Sequence, residues 1–153
     1  MKLVINSCYG GFHLSPKALK RYLELKGKNA YFYKQTKYEY RDGIYEFTRI
    51  DDMDTIKSSL FIYCTTIDYG KVTNTYPSGP FADCPIKRND KHLIQTIEEL
   101  GEEANTTVSR LTIVEIENGR WYKINEYDGY ESIEYRDIDD EWELAEDDEY
   151  ERF

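Results

Sequence analysis

The sequence predicts an α/β (α+β) fold: a mixed sheet with an N-terminal βαβ unit, two main helices and a C-terminal antiparallel meander. Three observations predict it. An apolar run, Leu3-Val4-Ile5, precedes an amphipathic stretch with a clear start and stop, and strand formers follow. A second amphipathic stretch begins near Asn89. The turn dipeptides Asn118-Gly119 and Asp128-Gly129 then separate three short segments rich in β-branched and aromatic residues. Alternating strands and helices argue for βαβ units, and glycine turns between strands argue for hairpins.

Lys2 to Asn6 reads as a buried strand, because no polar residue interrupts its centre. Ser7 to His13 is the turn. Ser15 is a strong N-cap with Pro16 at the first helical position, and Leu14 and Leu19 are spaced for a hydrophobic staple. Ala18, Leu19, Tyr22 and Leu23 share one helix face, and Gly27 ends the helix. Ala30 to Lys34 is the second strand. Strand, helix and strand of these lengths predict a parallel pair with a right-handed crossover.

Asp42-Gly43 announces a hairpin. A two-residue turn there sets Tyr40 opposite Tyr45 and Tyr38 opposite Phe47. Ser59 to Thr65 is another apolar strand. Asp68 to Arg88 lacks periodicity, holds Pro77, Pro80 and Pro85, and reads as a functional loop. Asn89 or Asp90 caps the second helix, whose apolar face is Leu93, Ile94, Ile97 and Leu100, fading around Gly101 to Ala104. Leu111 to Ile116 is a strand. The two turns after it line up Ile113, Ile124 and Ile133 across three strands, with Tyr122 and Tyr135 paired beside them. No internal repeat is visible.

At 153 residues the chain has the size of one domain, with residues 1–136 as its body and 137–153 as an acidic tail. No apolar window has the length of a membrane span or of a signal-peptide core. Cys8, Cys64 and Cys84 are odd in number and form no CxxC pair, which predicts reduced thiols in a cytoplasm. Two histidines without ligand spacing argue against a zinc site, and no cofactor is implied. The fifteen tyrosines suit half-buried sheets and binding surfaces.

The net charge of −10 is unevenly placed. Residues 137–153 hold ten acids and one base, Arg152, so residues 1–136 carry twenty acids and nineteen bases. Within that body, residues 17–41 hold eight Lys or Arg and two Glu. A basic segment and an acidic tail on one chain attract each other.

The candidate ligand site is Tyr9, Gly10, Gly11, Phe12 and His13 together with Arg88, Asn89 and Asp90. Two glycines let backbone N–H groups approach a ligand, and a following helix N-terminus favours an anion such as phosphate. Neither the P-loop nor the GxGxxG spacing is present, and a tight strand-to-helix connection would need the same glycines. In a doubly wound sheet the helix start at Arg88-Asn89-Asp90 lies along the same sheet edge, where Arg88 pairs with the bound anion. The plainer reading is an Asx cap beside an exposed arginine.

Other groups read as structural. Cys8 as a nucleophile needs a base, and His13 is near it only in sequence. His92 reads as a surface residue, and Glu98-Glu99 with Glu102-Glu103 as a solvated helix face. The tyrosines at 31, 33, 38, 40 and 45 could stack bases, but sheet pairing explains them. The acidic tail reads either as a solubilising segment or as spaced carboxylates that imitate a phosphate backbone.

Three blocks carry a family resemblance: Val4 to Ser15 (VIN-CYGGF-LS), Arg88 to Asn105 (RND--LI---EELGEEAN) and Leu111 to Gly129 (L-IVEI-----Y-I-EYDG). In this order they resemble an uncharacterised family of small phage- and prophage-encoded proteins. The resemblance covers both ends of the body and skips its middle. It implies a gene context and no particular activity. Family members read ANG where this chain has Ala104-Asn105-Thr106, and usually finish soon after the last hairpin, so the acidic tail is expected to be an addition.

Three functional expectations follow. The first is a phage accessory protein of the host cytoplasm, acting by binding in counter-defence and capturing a nucleotide-like anion at the glycine turn, with residues 68–88 as lid. The second is a protein inhibitor that uses its acidic tail as a nucleic-acid mimic against a host protein. The third is a small nucleotide-processing enzyme using Cys8 or His13, for which no complete catalytic set assembles. Direct nucleic-acid or membrane binding is not expected. Ligand-capturing proteins often place sites between subunits, which suggests a homo-oligomer.

Overall fold

The structure is a computed structural model that describes residues 1–56, 62–77, 86–136 and 143–147. In chain order its elements are β1 (Lys2–Asn6), α1 (Pro16–Leu25), β2 (Tyr31–Glu39), β3 (Ile44–Ile50), β4 (Ile62–Thr65), β5 (Val72–Thr73), α2 (Lys91–Leu100), β6 (Leu111–Glu115), β7 (Trp121–Tyr127), β8 (Tyr130–Arg136) and β9 (Glu143–Leu144). The class is α+β, with two α-helices among the described residues, antiparallel sheets and a C-terminal meander. The chain divides into two compact units, Met1–His13 with Lys87–Phe153, and Leu14–Ile86.

In the first unit β1 pairs antiparallel with β6, with Val4 opposite Ile113. Leu3 and Ile5 join Ile116, Tyr122 and Ala145 in the core, with Val114, Ile124 and Ile133 packed against them. Val4, on the other face of β1, is also buried, and α2 packs on both β1 and β6. The uninterrupted apolar run is thus explained by burial on both faces. Asp90 caps α2 by accepting from the backbone N–H groups of His92 (2.8 Å) and Leu93 (3.3 Å), and Leu93, Thr96 and Ile97 are buried. The helix stops at Gly101, whose φ of 56° suits glycine.

The β7–β8 hairpin has the predicted register, with Ile124 opposite Ile133 and Tyr122 opposite Tyr135. The third strand of this sheet is not the predicted one. The sheet order is β8-β7-β9, and β6, which carries Ile113, belongs to the ribbon with β1. The reason lies at Asn118-Gly119. Asn118-Gly119 is the centre of a turn closed by Arg120 N donating to the Glu117 carbonyl (3.2 Å). Only Gly119 has positive φ, so the turn lacks the pair of positive φ angles that carries a strand straight back as a tight hairpin. Ala145 fills the edge instead: its carbonyl accepts from Gly119 N (3.0 Å) and its N–H donates to the Arg120 carbonyl (2.8 Å). Trp121 then faces Leu144, which ties part of the acidic stretch to this sheet.

The second unit holds α1 and a sheet of order β4-β2-β3-β5. Helix α1 runs as predicted: Ser15 Oγ accepts from Ala18 N (3.2 Å), Pro16 opens the helix, and Ala18, Tyr22 and Leu23 are buried. The expected parallel βαβ pair is not formed. β1 pairs with β6, and β2 pairs antiparallel with β3 and β4. All described strand pairs are antiparallel, so the predicted mixed sheet is corrected as well. Helix and strand lengths compatible with a crossover do not choose the strand's partner. Here β2 is longer than predicted, nine residues instead of five, and takes β3 as a hairpin neighbour.

The β2–β3 register also differs from the prediction. Tyr45 faces Tyr38 rather than Tyr40, and a bulge between Gln35 and Lys37 places Phe47 opposite Gln35. Tyr40 to Gly43 forms a four-residue turn in which only Gly43 has positive φ, 62°. Of the predicted strand Ser59 to Thr65, Ile62–Thr65 is strand and residues 59–61 lie outside the described residues, as do residues 78–85 of the long loop. That loop includes the short strand β5.

Candidate functional site

Asn6, at the end of β1, organises the surroundings of the glycine turn. Its side chain is fully buried. Its Nδ2 donates to the carbonyls of Cys8 and Gly129, both at 2.8 Å, and its Oδ1 accepts from Arg110 N at 2.8 Å. One amide therefore ties the glycine turn to the β7–β8 turn and to the start of β6, with its donors and acceptor in use.

The two glycines are explained by close backbone packing. Gly10 has φ of 131° and donates to the Asp128 carbonyl (3.2 Å). A Cβ on Gly10 would lie 2.5 Å from the Val108 carbonyl oxygen. A Cβ on Gly129 would overlap the backbone nitrogen of Gly11. Gly10 and Gly129 thus sit in backbone contacts that side chains would prevent, whereas a Cβ on Gly11 would meet only the His13 side chain, at 3.4 Å, and its φ of 107° is what favours glycine there. At Gly10 the N–H and the space beside the backbone are taken up by Asp128 and Val108.

Arg88 is brought to the turn, as predicted, and meets an internal carboxylate. Its Nη1 and Nη2 donate to Glu131 Oε1 (2.6 Å) and Oε2 (2.8 Å), a bidentate pair, and Nη1 also reaches the Val4 carbonyl (3.3 Å). The guanidinium lies over the Phe12 ring, with Cζ 3.6 Å from the centroid. Glu131 is 7% exposed and accepts in addition from Asn6 N (2.8 Å). The backbone donor at the end of β1 and the arginine that an anion would use are held by Glu131.

The remaining candidates separate. Tyr9 is exposed and packs on Tyr130, with ring centroids 5.3 Å apart at 42°. His13 is exposed, and its carbonyl accepts from Ser109 Oγ (2.7 Å). Asp90 is the cap of α2, and Asn89 lies half-buried in the turn before it. Cys8 Sγ donates to the neighbouring Tyr9 carbonyl (3.5 Å) rather than to an imidazole. In the second unit burial pushes the Cys64 thiol up to about 12, which keeps it protonated. Cys84 lies outside the described residues.

Sequence reasoning missed Glu131, Asn6 and Val108. A signal for Glu131 existed. In the predicted β7–β8 register Glu131 faces Glu126, and two carboxylates directly opposite repel unless each has its own donors. The structure supplies them: Glu126 Oε1 accepts from Gly129 N (2.8 Å), and Glu131 turns to Arg88. Among the described residues no cluster of His, Cys, Asp and Glu is arranged to hold a metal ion, and no helix is long and apolar enough to cross a membrane. Compared with protein-family models, with curated proteins and with solved structures, the chain matches none.

Proposed function

We propose that this protein acts by binding a protein partner, with its acidic unit standing in for nucleic-acid phosphates. The observation that carries this reading is the division of charge. Residues 1–13 and 87–153 hold twenty-one acids and nine bases, a net of −12, while residues 14–86 hold nine acids and eleven bases, a net of +2. Such a field steers a basic surface toward the first unit and repels polyanions from it. The engagement of Arg88 by Glu131 supports the same choice over capture of an anionic small molecule at the glycine turn. The resemblance to phage-encoded proteins supports a counter-defence setting in the host cytoplasm.

The test is release of host proteins from DNA-cellulose. The full chain should release a defined nucleic-acid-binding protein, and a variant with Glu143, Glu146, Asp147, Asp148, Glu149 and Glu151 changed to their amides should not. Equal release by both would remove the acidic stretch from the account. A stoichiometric nucleotide freed by denaturing the protein purified from infected cells would replace this reading with ligand capture.

A further inference from the structure

Three exposed aromatic side chains, Tyr9, Tyr127 and Tyr130, stand at the glycine turn and the hairpin tip beside it. Tyr9 is 61% exposed, Tyr127 78% and Tyr130 40%. Tyr127 and Tyr130 are direct cross-strand partners at the tip of the β7–β8 hairpin, so their side chains leave the same face. The Tyr9 ring packs against that of Tyr130 from the neighbouring turn, tilted by 42°. The backbones beneath are locked by the Asn6 amide, by the Gly10–Asp128 hydrogen bond and by the contact of Gly129 with Gly10 and Gly11. Tyrosine loses little rotamer freedom on binding, and a locked backbone adds almost none. Such a surface is prepared for recognition.

Charge decides what it recognises. The face of the hairpin that carries Tyr127 and Tyr130 also carries Lys123, but that ammonium is held 3.8 Å from Glu134. Asp128 lies in the turn between the two tyrosines, and the unit as a whole is strongly acidic. A nucleobase would find rings to stack on, but its phosphates would be repelled. A guanidinium gains from both features: its plane stacks on tyrosine and its charge suits the carboxylates. Lysine offers charge without the planar stack.

From these contacts we infer that Tyr9, Tyr127 and Tyr130 form a docking patch for an arginine-bearing basic protein surface. The inference rests on the acidic-binding reading above and names the part of the unit that distinguishes arginine from lysine. The acidic C-terminal stretch supplies attraction without that distinction.

The experiment is fluorescence anisotropy of labelled oligo-arginine and oligo-lysine peptides of equal length, titrated with the full chain. Oligo-arginine should bind about fivefold more tightly. Tyr127→Ala should bring the two peptides close to parity, and Tyr127→Phe should keep the preference, since the ring is retained. Tyr40→Ala, 82% exposed in the second unit, should change nothing. Neutralising the carboxylates of residues 143–151 should weaken both peptides alike and leave their ratio intact. Equal affinities in the unaltered chain, or a preference untouched by Tyr127→Ala, would overturn the patch while leaving acidic binding in place. Failure of both peptides to bind would overturn both proposals.

Discussion

The two hairpins, β2–β3 and β7–β8, carry the same dipeptide, Asp-Gly, and follow different geometries. At Asp128-Gly129 both residues have positive φ, 49° and 85°, and the strands leave the turn in the tight two-residue register. At Asp42-Gly43 only the glycine does, the turn lengthens to four residues, and Tyr45 meets Tyr38. The difference is in what supports the turn. Asp128 accepts from Gly10, Gly129 donates to Glu126, and the glycine turn packs against both. Gly43 has open space where a Cβ would be. A turn dipeptide sets a preference, and tertiary contacts decide whether the strained non-glycine position is adopted.

The largest expected effect breaks this contrast directly. Gly129→Ala forces a Cβ into the backbone of Gly11 in a left-handed conformation and should cost about 3 to 5 kcal/mol in urea denaturation. Gly43→Ala meets open space and should cost only the conformational part, about 1 kcal/mol. Equal losses would show that the two turns are held alike.

The charged pairs give the next contrast. Glu131→Gln leaves Arg88 against Phe12 without its carboxylate and should cost about 3 kcal/mol, little affected by salt. Arg49 in the second unit donates to Asp51 and Asp68, both at 2.7 Å and both well exposed. Arg49→Met should cost less, and the loss should shrink as salt rises. Denaturation midpoints at low and high salt check both.

Alkaline pH sharpens the comparison further. Burial, then the Glu143 carboxylate, pushes the Tyr122 hydroxyl up to about 12, and burial likewise raises Tyr33. The folded state keeps a proton that the unfolded state releases near pH 10, so stability falls as pH rises from about 10 toward 12. Tyr122→Phe should reduce the steepness of that fall, measured as the denaturation midpoint against pH. The caps are local effects: Ser15→Ala and Asp90→Ala should each cost about 1 kcal/mol, read from the denaturation midpoint.

Local signals are legible in the sequence. The helix starts follow from Ser15-Pro16 and from Asn89 or Asp90, of which the structure uses Asp90, and the β7–β8 register follows from Asp128-Gly129 with its facing isoleucines. Partners distant in sequence are not. Leu3-Val4-Ile5 announces burial on both faces, which a ribbon between a helix and a sheet satisfies as well as a parallel sheet does. β9 contributes two residues from an acidic stretch, too little pattern to announce a strand. At the glycine turn the residues Gly10, Gly11, Phe12 and Arg88 are brought together as expected. Their anion, Glu131, is visible only once its pairing with Glu126 is seen to need relief.

The most direct measurement is the thermal unfolding of the full chain titrated with inorganic pyrophosphate. If Glu131 is the anion that Arg88 and the β1 terminus are built around, the unfolding temperature stays unchanged into the millimolar range. A saturable rise that disappears in Arg88→Lys would contradict the account and return the glycine turn to the role of a ligand site.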